Sequence, residues 1–589
     1  MKSAPRLVKL VALELAAYIG CRLSVLPKVP LKFAVYHYLR TIFAVALLIM
    51  SIAPWLVAQV IDPPGPRAVA TYHYDNYRTG WNPSESKLTP TTVSSGQFGV
   101  LKTVVLDERV DAQPLIVYAI NVTAGNYQGK HNVVYVATAN NTVYMIDADD
   151  GTVLWSRNLG NPVTGPVGCG GPPGNVGITS TPVIDAASHT LYVMAYISSM
   201  SGPAYLLHAL DLGNLADSVF PQVVYASHTL TDGTRFAFNA NYQLQRPGLL
   251  LANGNVYAGF GSFCDGYGAY SRGWLLGWNA ASLTPLPSNE LLDTQASDQY
   301  FLSSIWMSGY GLTADDSGNL LFATGNSQSG TYDGVTNLQE SVVKMSPDLS
   351  SVLDLFTPNN QAALDLYDLD FGSGGVLVLP DQSGPVSHLA VAAGKSGTMF
   401  LMNEDNLGGY SPITNNVLGS YPIGQCWCGP SYFVDTDGAP RVVSSGAGSA
   451  IVWELGTSLP APRLTAVGVS PIIAGGQQDA GFFTTVSSNG TFNPVIWALS
   501  RASQQNIFLY AFDPDNLQNG HLTLLFRGIA GFWPIVTANA NLVPVVANGK
   551  VYVASYQQLT IFGLTGQRGR DKSDSEPASL QALPRASRF

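Results

Sequence analysis

An all-β fold, a single β-propeller of eight four-stranded blades, is predicted by three observations. The composition favours short strands and tight turns, one stretch reads as a complete meander, and that meander recurs along most of the chain. Of 589 residues, 12 % are charged and 46 % apolar, with 59 glycines, 37 prolines and 28 tyrosines. That balance suits strands joined by turns and is poor in the residues that long helices prefer. A formal net charge of -10 without a basic stripe excludes a nucleic-acid partner, which needs cations aligned against phosphates.

In chain order, residues 1–58 form the expected leader. After Lys32 and Arg40, the run TIFAVALLIMSIAPWLVAQV has the basic flank and apolar core of a signal peptide, with a cleavage point after Ala58. Its apolar length also approaches that of a membrane anchor, the only membrane contact expected. The remainder is expected to be exported, periplasmic or secreted. Residues 59–98 read as an irregular N-terminal wrap, 99–564 as the propeller and 565–589 as a disordered tail.

The stretch NVVYVATANNTVYMIDADDGTVLW, Asn132 to Trp155, shows two alternating strands, a polar turn between them, an Asp-Asp-Gly turn and a closing strand. The strand beginning at Pro114 completes a four-stranded unit. Further copies begin near Thr179, Arg246, Gly311, Gly375, Pro430 and Phe482, and the last, LVPVVANGKVYVASYQQLTIFGL, stops one strand short near Leu564. A strand from Gly99, GVLKTVVLD, can supply the missing outer strand, so that the two termini close one ring. Eight blades account best for these copies, and seven is left open by their boundaries. Pro114, Pro182, Pro247 and Pro544 precede first strands, where a lost ladder donor is tolerated.

First strands of such a ring line its central channel. The polar residues before them, Asp111, Gln113, Asn175, Thr181, Gln245, Arg246, Asn539 and Asn541, should converge at one end, suiting a small polar ligand or ordered water. Without the leader, four cysteines remain, Cys169, Cys264, Cys426 and Cys428, and three pairings are open. Cys426 and Cys428 are too close for a CxxC redox motif, and are expected to form disulfides with Cys169 or Cys264. No CxxCH occurs, so no covalent haem is expected.

The phrase VYVATANNTVYMIDADDGTVLW resembles the blade signature of pyrroloquinoline quinone (PQQ) repeats, in which a closing tryptophan docks between blades. NLLFATGNSQSG, FTPNNQAALDLYDLDFGSGG and VAAGKSGTMFLMN keep the order of motifs in the PQQ alcohol dehydrogenases. The resemblance implies PQQ and calcium as cofactors, Asn326 as a calcium ligand, Asp370 as the catalytic aspartate and Lys395 as the basic residue on the quinone oxygens. Asp265 is the candidate second metal ligand, replacing a glutamate of that family. Trp306 is the candidate aromatic floor under the quinone, and Cys169, Thr181 and Arg246 are further candidate cofactor contacts. The sequence departs from the family where Gly170 follows Cys169, which removes an adjacent cysteine pair, and where Leu369 replaces a tryptophan.

Two functions follow. One is oxidation of an alcohol or sugar-like hydroxyl, with Asp370 as general base, Lys395 stabilising developing negative charge and a separate protein accepting electrons. The other is a cofactor-free ring that binds a protein or glycan.

Overall fold

Short strands with apolar faces need neighbours on both sides, and the chain supplies them by folding each run back on the last. The computed structural model describes residues 67–165, 174–264, 270–296, 302–458, 460–473, 480–503, 505–534 and 542–567. The leader, most of the tail, Cys169 and Asp265 lie outside the described residues. No helix among the described residues is long and apolar enough to cross a membrane.

The fold is nearly all β. The first meander runs outward through Leu115–Val122, Gly129–Ala137, Thr142–Asp147 and Val153–Asn158, each strand antiparallel to the one before. Later meanders start from Val183–Asp185, Leu250–Ala252, Thr313–Ala314, Val376–Val378, Ser431–Val434, Phe483–Asn489 and Val545–Ala547. The outer strands of the meanders from Ser431 and Phe483 meet in a parallel pair, Val469 with His521. Trp155 closes the first meander as the sequence predicts, but its side chain is 38 % exposed and does not dock between blades. Trp274, Trp278, Trp497 and Trp533 are the fully buried tryptophans among the described residues.

The last meander is completed from the other end of the chain. Phe98–Arg109 pairs with Lys550–Leu564, Phe98 opposite Leu564 and Arg109 opposite Tyr556. The latter stretch folds back at Gln557, whose φ is 56°; a Cβ on Gly563 would lie 3.1 Å from the Gly549 carbonyl. The N-terminal strand is therefore the outermost of four, and no blade is left open at the joint.

Closure also shows in the core. One apolar cluster joins the first two meanders through Met145, Ile184 and Val193, and the next joins the second and third through Tyr192, Leu207 and Trp278. Others continue this way around to the last, where Tyr552 and Ile561 pack on Ile116 and Val134 of the first. Burial is thus shared between neighbouring blades, and only the complete circle covers every face.

The segment expected to form an irregular N-terminal wrap runs along the first strands of the ring. Residues 69–82 pass along the axis and bond at or beside the first strand of each meander. Val69 exchanges hydrogen bonds with Ile116 (2.8 and 2.9 Å), and Ile184 N donates to Ala70 O (2.7 Å). Arg78 Nη2 reaches Leu249 O (3.2 Å) and its Nε reaches Leu312 O (2.7 Å). Val378 N donates to Tyr77 O, Tyr432 N to Thr79 O and Val486 N to Gly80 O (3.1, 2.7 and 2.8 Å). Tyr74 Oη and Asn82 Nδ2 both donate to Val546 O (3.0 and 2.9 Å). A first strand has its second edge unpaired at the axis, and this spindle satisfies part of each one.

Candidate active site

Four sequence candidates meet at one end of the ring. Asn326 and Lys395 occupy corresponding turns of adjacent meanders: Asn326 follows the strand Leu320–Ala323, and Lys395 follows Leu389–Ala393. Trp306 and Asp370 lie on segments leading into first strands, just before the 3-10 turns Met307–Gly309 and Phe371–Ser373. The loops approach so closely that only glycine fits between them. A Cβ on Gly372 would lie 2.4 Å from Gly325 N, and one on Gly325 would lie 2.6 Å from Asp370 Oδ1 and 3.0 Å from Trp306 Nε1. The GSGG and TGN motifs are thus requirements of packing as well as of chemistry.

Asp370 is buried, with both carboxyl oxygens engaged: Oδ1 accepts Asn326 N–H at 2.7 Å, and Oδ2 accepts Lys395 Nζ at 2.5 Å. Lys395 also donates to Asp368 Oδ1 at 2.8 Å, and its backbone N–H to Asp370 O at 3.0 Å. Burial alone would raise the Asp370 carboxyl, but the Lys395 ammonium and the Asn326 N–H outweigh it and hold the group below the ordinary carboxylate range. Burial works against the Lys395 charge too, and the charges of Asp370 and Asp368 reverse this, so the ammonium stays protonated. An ammonium has three protons, and two are spent on these carboxylates. Around it stand two indoles, with Nζ 5.4 Å from the Trp306 ring centre and 5.7 Å from that of Trp427.

Sequence reasoning missed several members of this site. Asp368, two residues before Asp370, has a side chain 63 % exposed, yet burial of the rest and the Asp370 charge raise it to about 6. Glu340 is fully buried; its Oε2 accepts Phe371 N–H at 2.5 Å and its Oε1 has no partner. Burial, and then the Asp370 charge, push it well above the carboxylate range. Asp365 is raised to about 7, first by burial, while Ser327 N–H opposes and Asp370 adds to the rise. Ser327 Oγ donates to Asp293 Oδ2 at 3.2 Å, and burial lifts Asp293 to about 6 although Arg272 lies 3.6 Å away. The one available signal for Glu340 was an acidic residue two positions before the strand Val342–Met345.

Cys426 and Cys428 bond to each other, so the expected pairing with Cys169 or Cys264 does not occur. The three-residue loop they close is small enough for a direct bond between them, and it sets Trp427 at the site. Ser373 Oγ donates to Cys426 O at 2.7 Å, fastening the same loop to the Asp370 turn. Cys264 is itself disulfide-bonded. Thr181 is buried at the start of the second meander, where its hydroxyl accepts Gln113 N–H at 2.8 Å. Arg246 is half-buried before the third first strand. Neither joins Asp370 and Lys395 by a hydrogen bond among those described, and Asn539 and Asn541 lie outside the described residues. Gln113 also accepts His73 N–H at 3.0 Å, so this part of the expected polar funnel is used to hold the spindle.

This geometry stands on a known architecture. The fold is the propeller of the quinoprotein alcohol dehydrogenases. The quinohemoprotein alcohol dehydrogenase from Comamonas testosteroni matches with a TM-score of 0.55 and 12 % identity, over 88 % of this chain and 83 % of that one. Quinohemoprotein alcohol dehydrogenase ADHIIG from Pseudomonas putida HK5 matches at 0.54 and 12 %, over 88 % and 82 %. A europium-containing methanol dehydrogenase matches at 0.54 and 11 %, over 87 % of this chain and 100 % of that one. No protein-family model and no curated protein matches the sequence.

The residues present fit one edge of a planar quinone. A Lys395 proton beyond those given to the two carboxylates, placed beside two aromatic faces, is a donor suited to a carbonyl oxygen. Of the two expected calcium ligands, Asn326 stands beside Asp370 and Asp265 lies outside the described residues. Among the described residues no three His, Cys, Asp or Glu side chains are arranged to hold a metal ion. The Asn326 amide donates to Asp368 Oδ1 at 3.4 Å, and Lys395 bridges Asp368 and Asp370.

Proposed function

We propose that this chain is a PQQ-dependent dehydrogenase, exported by its leader, that oxidises the hydroxyl of an alcohol or sugar-like substrate and passes electrons to a separate acceptor. One observation carries the reading: a buried, ionised Asp370 is paired with a Lys395 ammonium whose remaining donor capacity lies beside two indoles. The names of the structural neighbours, alcohol and methanol dehydrogenases, support it.

PQQ, when bound, would supply an ortho-quinone able to take up one hydride, and with it two electrons, from the carbinol carbon. The residues of this chain do the rest. Asp370 accepts the hydroxyl proton of the substrate, which requires a carboxylate ionised at working pH, and its lowered pKa meets that requirement. Lys395 holds positive charge at the oxygen where negative charge develops. Trp306 and Trp427 exclude water from the reacting edge.

The test is to add PQQ to the purified protein, with and without calcium, and to record a bound-quinone spectrum and dye-linked alcohol oxidation. Both are expected in the native chain, with oxidation lost in Asp370→Asn. A second reading, a cofactor-free ring binding a protein or glycan, is favoured by the complete engagement of Asp370 by Lys395 and Asn326. Absence of both quinone binding and oxidation would select it.

A further inference from the structure

We propose that the hydroxyl substrate of this site is an organic cation, an amino alcohol or its quaternary ammonium form. The assignment takes its chemistry from the dehydrogenase reading, while its binding can be measured without it.

The site already holds one ammonium, and that group shows what the surroundings prefer. Lys395 Nζ sits between two carboxylates, at 2.5 Å from Asp370 and 2.8 Å from Asp368, with the Trp306 and Trp427 rings 5.4 and 5.7 Å away. Two indoles and two carboxylates are the components from which cages for ammonium groups are built. The inner half is filled by the protein's own lysine. The outer half is open: both tryptophans are only partly buried, and the Asp368 side chain is 63 % exposed.

Charge points the same way. Asp293, Asp365, Asp368, Asp370 and Glu340 are linked through Ser327, Asn326 and the Phe371 amide, against the cations Lys395 and Arg272. Glu340 adds an unpaired polar atom on the group that holds the Asp370 turn. It is fully buried, and its Oε1 lacks a partner while its Oε2 is held by the turn that carries Asp370. An arriving anion meets the Asp368 and Asp370 carboxylates, and a neutral alcohol gains nothing from the outer aspartate. A cationic head on Asp368 and Trp427 leaves its hydroxyl to reach inward toward Asp370.

The experiment uses the full purified chain without added quinone and follows tryptophan fluorescence during titration with choline or with its uncharged tert-butyl isostere. Choline is expected to bind about tenfold tighter than the isostere, with the advantage shrinking as salt rises. Asp368→Asn, an exposed change that leaves the fold intact by thermal melting, is expected to remove the preference. Trp427→Phe should keep most of it and Trp427→Ala little. Equal affinity for the two ligands, or a fluorescence response to calcium chloride but none to choline, overturns the proposal. Dye-linked assays on the quinone-loaded protein separate the two readings. Oxidation of neutral alcohols without charge preference sinks this inference alone, and choline binding without quinone uptake sinks the dehydrogenase reading alone.

Discussion

Lys395 Nζ lies 2.5 Å from Asp370 Oδ2 across 25 residues of sequence, and this contact ties the second-strand turn of one blade to the loop that begins it. The pair is buried, so it is held by mutual dependence. Removing either partner leaves a charge inside without compensation.

Lys395→Met is therefore expected to cost about 3–5 kcal/mol of stability, with Lys395→Arg recovering part of it. Urea unfolding at neutral pH measures both. A Met variant as stable as the native chain would show that the pair is not desolvated.

The acidic cluster sets a pH dependence of definite sign. Asp365 is raised to about 7 and Asp368 and Asp293 to about 6, so the folded chain holds protons that the unfolded chain releases near ~4. Their contribution is complete below the unfolded pKa and is lost as pH rises through 6 to 7. Asp370, with its lowered pKa, acts oppositely, and its contribution disappears only in stronger acid. The urea midpoint is expected to fall from about pH 5 to pH 8, and Asp365→Asn should flatten that slope. A slope unchanged in the Asn variant would remove Asp365 from the account.

Arg78 is the anchor of the axial segment. Fully buried, its guanidinium donates to Leu312 O, Thr71 Oγ1, Tyr72 O, Asp75 O and Leu249 O. Arg78→Met strands these acceptors, and a loss of at least about 3 kcal/mol is expected, with Arg78→Lys rescuing little because one ammonium cannot span the same fork. Calorimetry reads the difference.

The Cys426–Cys428 bond closes so short a loop that its entropic share is small. Replacing both cysteines by alanine is expected to cost about 1–2 kcal/mol while shifting the Trp427 emission, because the indole loses its fixed position beside Lys395. An unaltered spectrum would mean that the surrounding loops alone position it.

What could be read in the sequence follows from where the information is local. Alternation in NVVYVATANNTVYMID marks strands directly, and the short last meander implies an N-terminal partner such as Phe98–Arg109. Asn326, Asp370 and Lys395 were legible through motif order and Trp306 as an aromatic floor, and the four meet. Glu340 was not, because a carboxyl at the head of an apolar strand looks like a solvated strand end until its burial is seen. The axial segment was invisible for a different reason. Its residues serve eight different strands through only a few bonds each, so no periodicity records the role.

That axial thread also bears on how the molecule is made. The stretch from Val69 to Asn82 leaves the ribosome before any blade, yet its last partner, Val546, emerges nearly 500 residues later (Tyr74 and Val546 are 472 apart). A nascent chain must therefore keep its hub waiting while wedge after wedge gathers around it, and truncated products carry an axle without a finished wheel.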